Sequence, residues 1–109
     1  MSEPAASEPP HVTVAESELL AVLWRHGPLS ATALVEAVRA RQPWGEATIK
    51  TLLNRLMRKS LVRSQKDDGR QRYHPLLDRE AYVRAEAQGL ADRLFAGDLS
   101  AVAALLSKG

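Results

Sequence analysis

The stretch from Glu46 to Lys59, EATIKTLLNRLMRK, constrains this chain more than any other. Ile49, Leu52, Leu53, Leu56 and Met57 recur at the three- and four-residue spacing of one helical face, so the segment reads as an amphipathic helix. At about 100° per residue, the opposite face centres on Ala47, Thr51, Asn54, Arg55 and Arg58, with Thr48 and Lys50 flanking it. Short hydrogen-bonding side chains fill its first two turns and guanidinium groups its end, and within the stretch no acid follows Glu46. An ordinary solvated helix can carry such a face. So can a helix that enters a DNA major groove, where Thr, Asn, Lys and Arg hydrogen-bond base edges and phosphates. The flanking sequence has to decide.

Charge favours the second reading. The net charge is only +2, yet residues 1–44 hold three basic and five acidic side chains, residues 45–75 eight and three, and residues 76–109 four and five. Positive charge is concentrated in the third that contains this helix, as a nucleic-acid surface requires.

Elsewhere the chain is punctuated clearly. MSEPAASEPP is acidic and Pro-rich, which predicts a disordered tail over residues 1–11 rather than a signal peptide. Thr13-Val14-Ala15-Glu16 forms a capping box, and a helix follows with Leu19, Leu20, Leu23 and Trp24 as its buried stripe, stopped by Gly27-Pro28. Leu29 reads as one extended residue. Ser30 then caps a helix to about Arg41, with Ala33, Leu34, Ala37 and Val38 inward. Gln42-Pro43-Trp44-Gly45 makes the corner, with Trp44 expected as a core plug, so the next helix completes a helix-turn-helix.

After Lys59 the period changes. Leu61–Lys66 and Arg70–His74 read as strands around the turn signal Asp67-Asp68-Gly69. A hairpin carrying Lys66, Arg70 and Arg72 directly after a polar helix is the wing of a winged helix, placed to lie along phosphates or a minor groove. Asp78 caps a long helix with Tyr82, Val83, Ala87, Leu90, Ala91, Leu94 and Phe95 as apolar positions, and Asp98 a short one with Leu99, Val102, Ala103 and Leu106. A winged domain does not need these two stripes to close its core. Burial against a second copy is the simplest solution, and two recognition helices about 34 Å apart then fit a palindrome. The expected fold class is mainly α (α+β): a winged helix-turn-helix over residues 12–76 and a two-helix C-terminal dimerisation region over residues 77–109.

Other chemistry is poorly supported. No window approaches the roughly 18 apolar residues of a membrane span. With no cysteine, disulfides and thiolate ligands are excluded, which fits a cytoplasmic location. His11, His26 and His74 are not at ligand spacing, and there is no Gly-rich phosphate loop and no nucleophile beside a base. No metal, cofactor or catalytic residue is expected, and the chain does not read as an enzyme.

VTVAESELLAVLWRHGPLSATALVEAV, ATIKTLLNRLMRKSLV, GRQRYHPLLDREAY and ADRLFAGDLSAVAALL together resemble the penicillinase-repressor family, of the BlaI, MecI and CopY type, from about Val12 to Leu106. The resemblance implies a bacterial, dimeric winged-helix transcriptional repressor on a palindromic operator, blocking RNA polymerase. By position, Thr48, Lys50, Thr51, Asn54 and Arg55 fall where the family's recognition helix meets DNA, Arg70 and Arg72 in its wing, and residues 78–106 in its dimerisation region.

Resistance-linked members are released when a membrane sensor metalloprotease triggers cleavage at an Asn-Phe bond. The corresponding bond here is Leu105-Leu106, which departs from that pattern. The copper-responsive branch senses through Cys-x-Cys pairs, absent here. Better-known members continue beyond the position of Gly109, which implies a smaller dimer interface, and Ser60 stands where many relatives carry glycine. The alternative reading is a winged-helix interaction module meeting an acidic protein partner, but Thr51, Asn54 and Arg58 are not the aromatic or aliphatic anchors such a face needs.

Overall fold

The computed structural model describes residues 11–108, so the expected tail, apart from His11, lies outside the described residues. Along them run α1 (Val14–His26), α2 (Ala31–Arg39), α3 (Glu46–Arg58), β1 (Val62–Asp67), β2 (Arg70–Pro75), α4 (Arg79–Leu94) and α5 (Leu99–Lys108). Two compact units divide between Leu77 and Asp78. No helix among the described residues is long and apolar enough to cross a membrane.

The first unit is a winged helix whose core is aliphatic. Leu19, Leu20 and Leu23 of α1, Leu34 and Val38 of α2, and Ile49 and Leu56 of α3 are buried together with Val62 of β1. Each such Leu or Ile contributes about 1.5–3 kcal/mol by leaving water. Val22 and Val35 are buried as well, whereas Ala33 and Ala37, expected inward on α2, are only half-buried. The β-branched side chain reaches the core where the alanines stop short. Helix α2 also ends at Arg39 rather than Arg41, and a turn follows.

Local signals account for the boundaries. Thr13 Oγ1 accepts the Glu16 amide at 3.1 Å, and Glu16 Oε1 accepts the Thr13 amide at 3.1 Å, so both arms of the capping box are present. Gly27 stops α1 at φ 82°, a conformation that favours glycine. Both tryptophans differ from expectation in being half-buried rather than enclosed. Trp24 keeps its indole N–H at the surface of the core, donating to the Leu77 carbonyl at 2.9 Å.

The hairpin register is tighter than the sequence suggests. Asp67 pairs with Arg70 as the last rung, leaving a two-residue loop of Asp68 (φ 55°) and Gly69 (φ 79°). Positive φ at both positions is what a type I′ turn needs, and it matches the twist of the strands. Leu29 is more than a linker: its carbonyl accepts the Tyr73 amide at 2.8 Å, adding an antiparallel bridge to the free edge of β2. The hairpin packs on all three helices, through β1 on α3 and through β2 on α1 and α2.

In the second unit, Asp78 caps α4 by accepting the Ala81 amide at 3.0 Å. Asp98 Oδ1 accepts the Ser100 amide and hydroxyl and the Ala101 amide at the start of α5. The Ser100 and Ala101 bonds hold the Asp98 carboxyl below its ordinary pKa. Between these helices Ala91 and Val102 are buried, while Val83, Leu94, Leu99, Leu105 and Leu106 remain exposed. Ala103, expected on the apolar side of α5, is exposed too.

Candidate nucleic-acid interface

Helix α3 has one face in the core and the other wholly in water. Ile49, Leu52, Leu53 and Leu56 are buried, and Met57 is half-buried at the margin. Ala47, Thr48, Lys50, Thr51, Asn54, Arg55 and Arg58 are all exposed. Ala47, Thr48, Thr51, Leu52 and Arg55 surround one shallow concavity. Lys50 belongs to a different one, between α2 and α3, with Ala31, Thr32, Val35, Glu36, Arg39 and Glu46. The α3 members of the expected contact set are therefore gathered on one exposed helix face, with Lys50 on the side towards α2.

The two ends of α3 are held differently. At its C-terminus the Leu61 amide bonds the Leu56 carbonyl at 2.9 Å and the Ser60 amide bonds Met57 at 3.0 Å, a Schellman closure with Ser60 at φ 62°. Serine thus occupies the left-handed position that glycine would take at lower cost. The neighbouring Lys59, one of the eight basic residues of the middle third, has its ammonium turned inward. It lies 2.7 Å from Glu16 Oε1 and 2.9 Å from the His11 carbonyl. Glu16 is 1% exposed. Burial alone would raise its pKa, but Lys59 and the Thr13 bonds outweigh that and hold it below its ordinary value. Lys59 thereby ties the end of α3 to the start of α1.

At the N-terminus of α3, Gly45 supplies no side-chain cap. Glu46 instead pairs with Lys50, Nζ to Oε2 2.7 Å, both side chains more than half exposed. The Lys50 bond holds the Glu46 carboxyl below its usual range, and Glu46 in turn raises the Lys50 ammonium. Glutamate four residues before lysine is visible in the sequence, and this pairing follows from helical spacing alone.

On the wing, strand pleating separates the three cations. Rungs Asp67–Arg70, Gln65–Arg72 and Arg63–His74 share one face, whereas Lys66 lies opposite Gln71 on the other. Lys66, Arg70 and Arg72 are all exposed. The first face carries a polar ladder: Arg63 donates to Gln65, Gln65 donates to Asp67 at 2.8 Å, and His74 Nε2 lies 2.8 Å from Asp67 Oδ2. His74, then Gln65, lower the Asp67 pKa. Across the other face Gln71 donates to Ser64. Among the described residues no group of His, Asp or Glu side chains is arranged to hold a metal ion.

The sequence profile of the penicillinase repressor matches residues 12–109. The chain belongs to the penicillinase repressor family. It is 25% identical over 93 residues to the penicillinase repressor of Bacillus licheniformis, covering 85% of this chain and 73% of that protein. It is 22% identical over 91 residues to the methicillin resistance regulatory protein MecI of Staphylococcus aureus strain N315, covering 84% and 74%. Among solved structures it is similar to monomeric Bacillus licheniformis BlaI in complex with the blaP half-operator, with 27% identity and a TM-score of 0.62, covering 69% of this chain and 92% of that one. The DNA-binding domain of the repressor BlaI gives a TM-score of 0.60 over the same shares. The penicillinase repressor family consists of DNA-binding transcriptional repressors rather than enzymes.

Proposed function

We propose that this member of the family is a cytoplasmic repressor that binds a palindromic operator as a homodimer, with α3 in the major groove and the wing on the backbone. The observation that carries the reading is the outward face of α3, polar and basic, next to a hairpin that exposes Lys66, Arg70 and Arg72. In this reading Thr48, Lys50, Thr51, Asn54 and Arg55 meet base edges, and Arg58, Lys66, Arg70 and Arg72 meet phosphates. The dimer forms through α4 and α5, whose exposed Val83, Leu94, Leu99 and Leu106 would leave water together with half-buried Tyr82, Ala87, Leu90 and Phe95. Val102 supports that surface from beneath, being 3% exposed already.

A separate signal, cleavage by a partner protease being one candidate, releases the operator. The Leu105–Leu106 bond lies within helix α5, so cleavage there requires local opening first.

Two variants test the DNA surface by gel shift. Arg70→Ala should weaken binding to every duplex and reduce the salt slope by about one, while Asn54→Ala should blur sequence preference by about 1–3 kcal/mol. Wild-type affinity and preference in both variants would remove the assignment.

A further inference from the structure

Glu46 is the residue on this surface that DNA binding by itself does not explain. It is the first residue of α3, the part of a recognition helix that comes closest to base edges. A carboxylate there is repelled by phosphates, and as a helix-start acid it would serve as well pointing into solvent. Helical spacing puts its oxygen 2.7 Å from the Lys50 ammonium, at the rim of the concavity between α2 and α3, where the Arg39 charge also favours the ionised form.

An ammonium and a carboxylate held side by side present a donor next to an acceptor. In the major groove, a G·C pair offers the complement: guanine N7 and O6 accept, and the adjacent cytosine N4 amino group donates. We infer that Glu46 and Lys50 act as one unit that reads a single G·C pair in each half-site, Glu46 accepting from cytosine N4 and Lys50 donating to guanine. Glu46 is then a specificity-determining residue, with Lys50 one helical turn away as its partner. Adenine with thymine also offers a donor beside an acceptor, but thymine O4 gives Lys50 one acceptor where guanine gives two, and the thymine methyl crowds the site. The inference rests on the DNA-binding reading above.

The test is selection from random duplexes with the full chain, run in parallel for wild type, Glu46→Gln and Glu46→Ala, with thermal melts to verify folding. The expected result is one G·C position per half-site that the wild type prefers by about tenfold and Glu46→Ala no longer distinguishes. Glu46→Gln, which keeps an accepting oxygen, should retain part of that preference. A merely structural role for Glu46 would lower the melting temperature and leave every base preference in place. Unchanged preferences, an affected position that is A·T, or a uniform gain in affinity for all duplexes would overturn the inference and leave DNA binding standing. Failure of the wild type to select any sequence would refute the DNA-binding reading itself.

Discussion

Lys59→Met isolates the contact that holds α3 to α1. Methionine keeps the aliphatic stem and removes the ammonium that sits 2.7 Å from Glu16 Oε1. Breaking a buried pair from one side typically costs about 3–5 kcal/mol, because a charge is stranded. Here Glu16 has an escape: it can take up a proton. From pH 7 to an ordinary carboxyl value of 4.5, at about 1.36 kcal/mol per unit, that escape costs roughly 3.4 kcal/mol, which is the ceiling on the penalty of the stranded charge itself. Burial raises the stranded carboxyl and carries the loss towards that ceiling, so the expected loss is about 2–3 kcal/mol at pH 7. At pH 5 the same arithmetic leaves under about 1 kcal/mol.

Urea unfolding at both pH values reads the difference as a shift in midpoint with the slope unchanged. Adding Glu16→Gln should recover most of the loss at pH 7, since glutamine still completes the capping box. A loss equal at the two pH values, or below about 0.5 kcal/mol at pH 7, would refute the stranded-charge reasoning.

Other consequences are open to direct measurement. Glu16 has a depressed carboxyl, so the wild type carries the resulting stability above the ordinary value of 4.5 and loses it as pH falls through the folded value. Acid unfolding monitored by circular dichroism should show this loss, and Glu16→Gln should flatten it. Ser60→Gly relieves a side chain at φ 62° and should raise Tm by a few degrees, worth about 0.5–1 kcal/mol once the greater freedom of glycine in the unfolded chain is counted. A lower Tm would mean the serine is held by something beyond the Schellman bonds. Leu94→Glu with Leu106→Glu changes two side chains that are 67% and 71% exposed. The pair should leave the fold intact and shift sedimentation from dimer to monomer, and an unchanged mass would move the interface elsewhere.

Much of this structure was legible in the sequence because it is set by local rules. The Thr13–Glu16 capping box, the Ser30 and Asp78 caps and the α3 stripe all follow from spacing within a few residues. Where the reading slipped, competing rules were close in energy. Asp67 could belong to the turn or the strand, and pairing with Arg70 gained one more rung and a type I′ loop. Strand pleating likewise put Lys66 on the face opposite Arg70 and Arg72, a period-two consequence that a count of charges misses. The Glu16–Lys59 contact spans 43 positions and leaves no local trace. Only the packing of α1 on α3 creates it, giving one of the middle third's basic residues a structural role.

The most direct measurement of the central claim is selection of random duplexes by the purified protein, followed by gel shift at two salt concentrations. The expected result is a two-fold palindrome with half-sites about one helical turn, ~34 Å, apart, and affinity that falls steeply with salt. Recovery of no sequence, or of salt-sensitive binding without preference, would contradict it and point to an acidic protein partner for the same basic face.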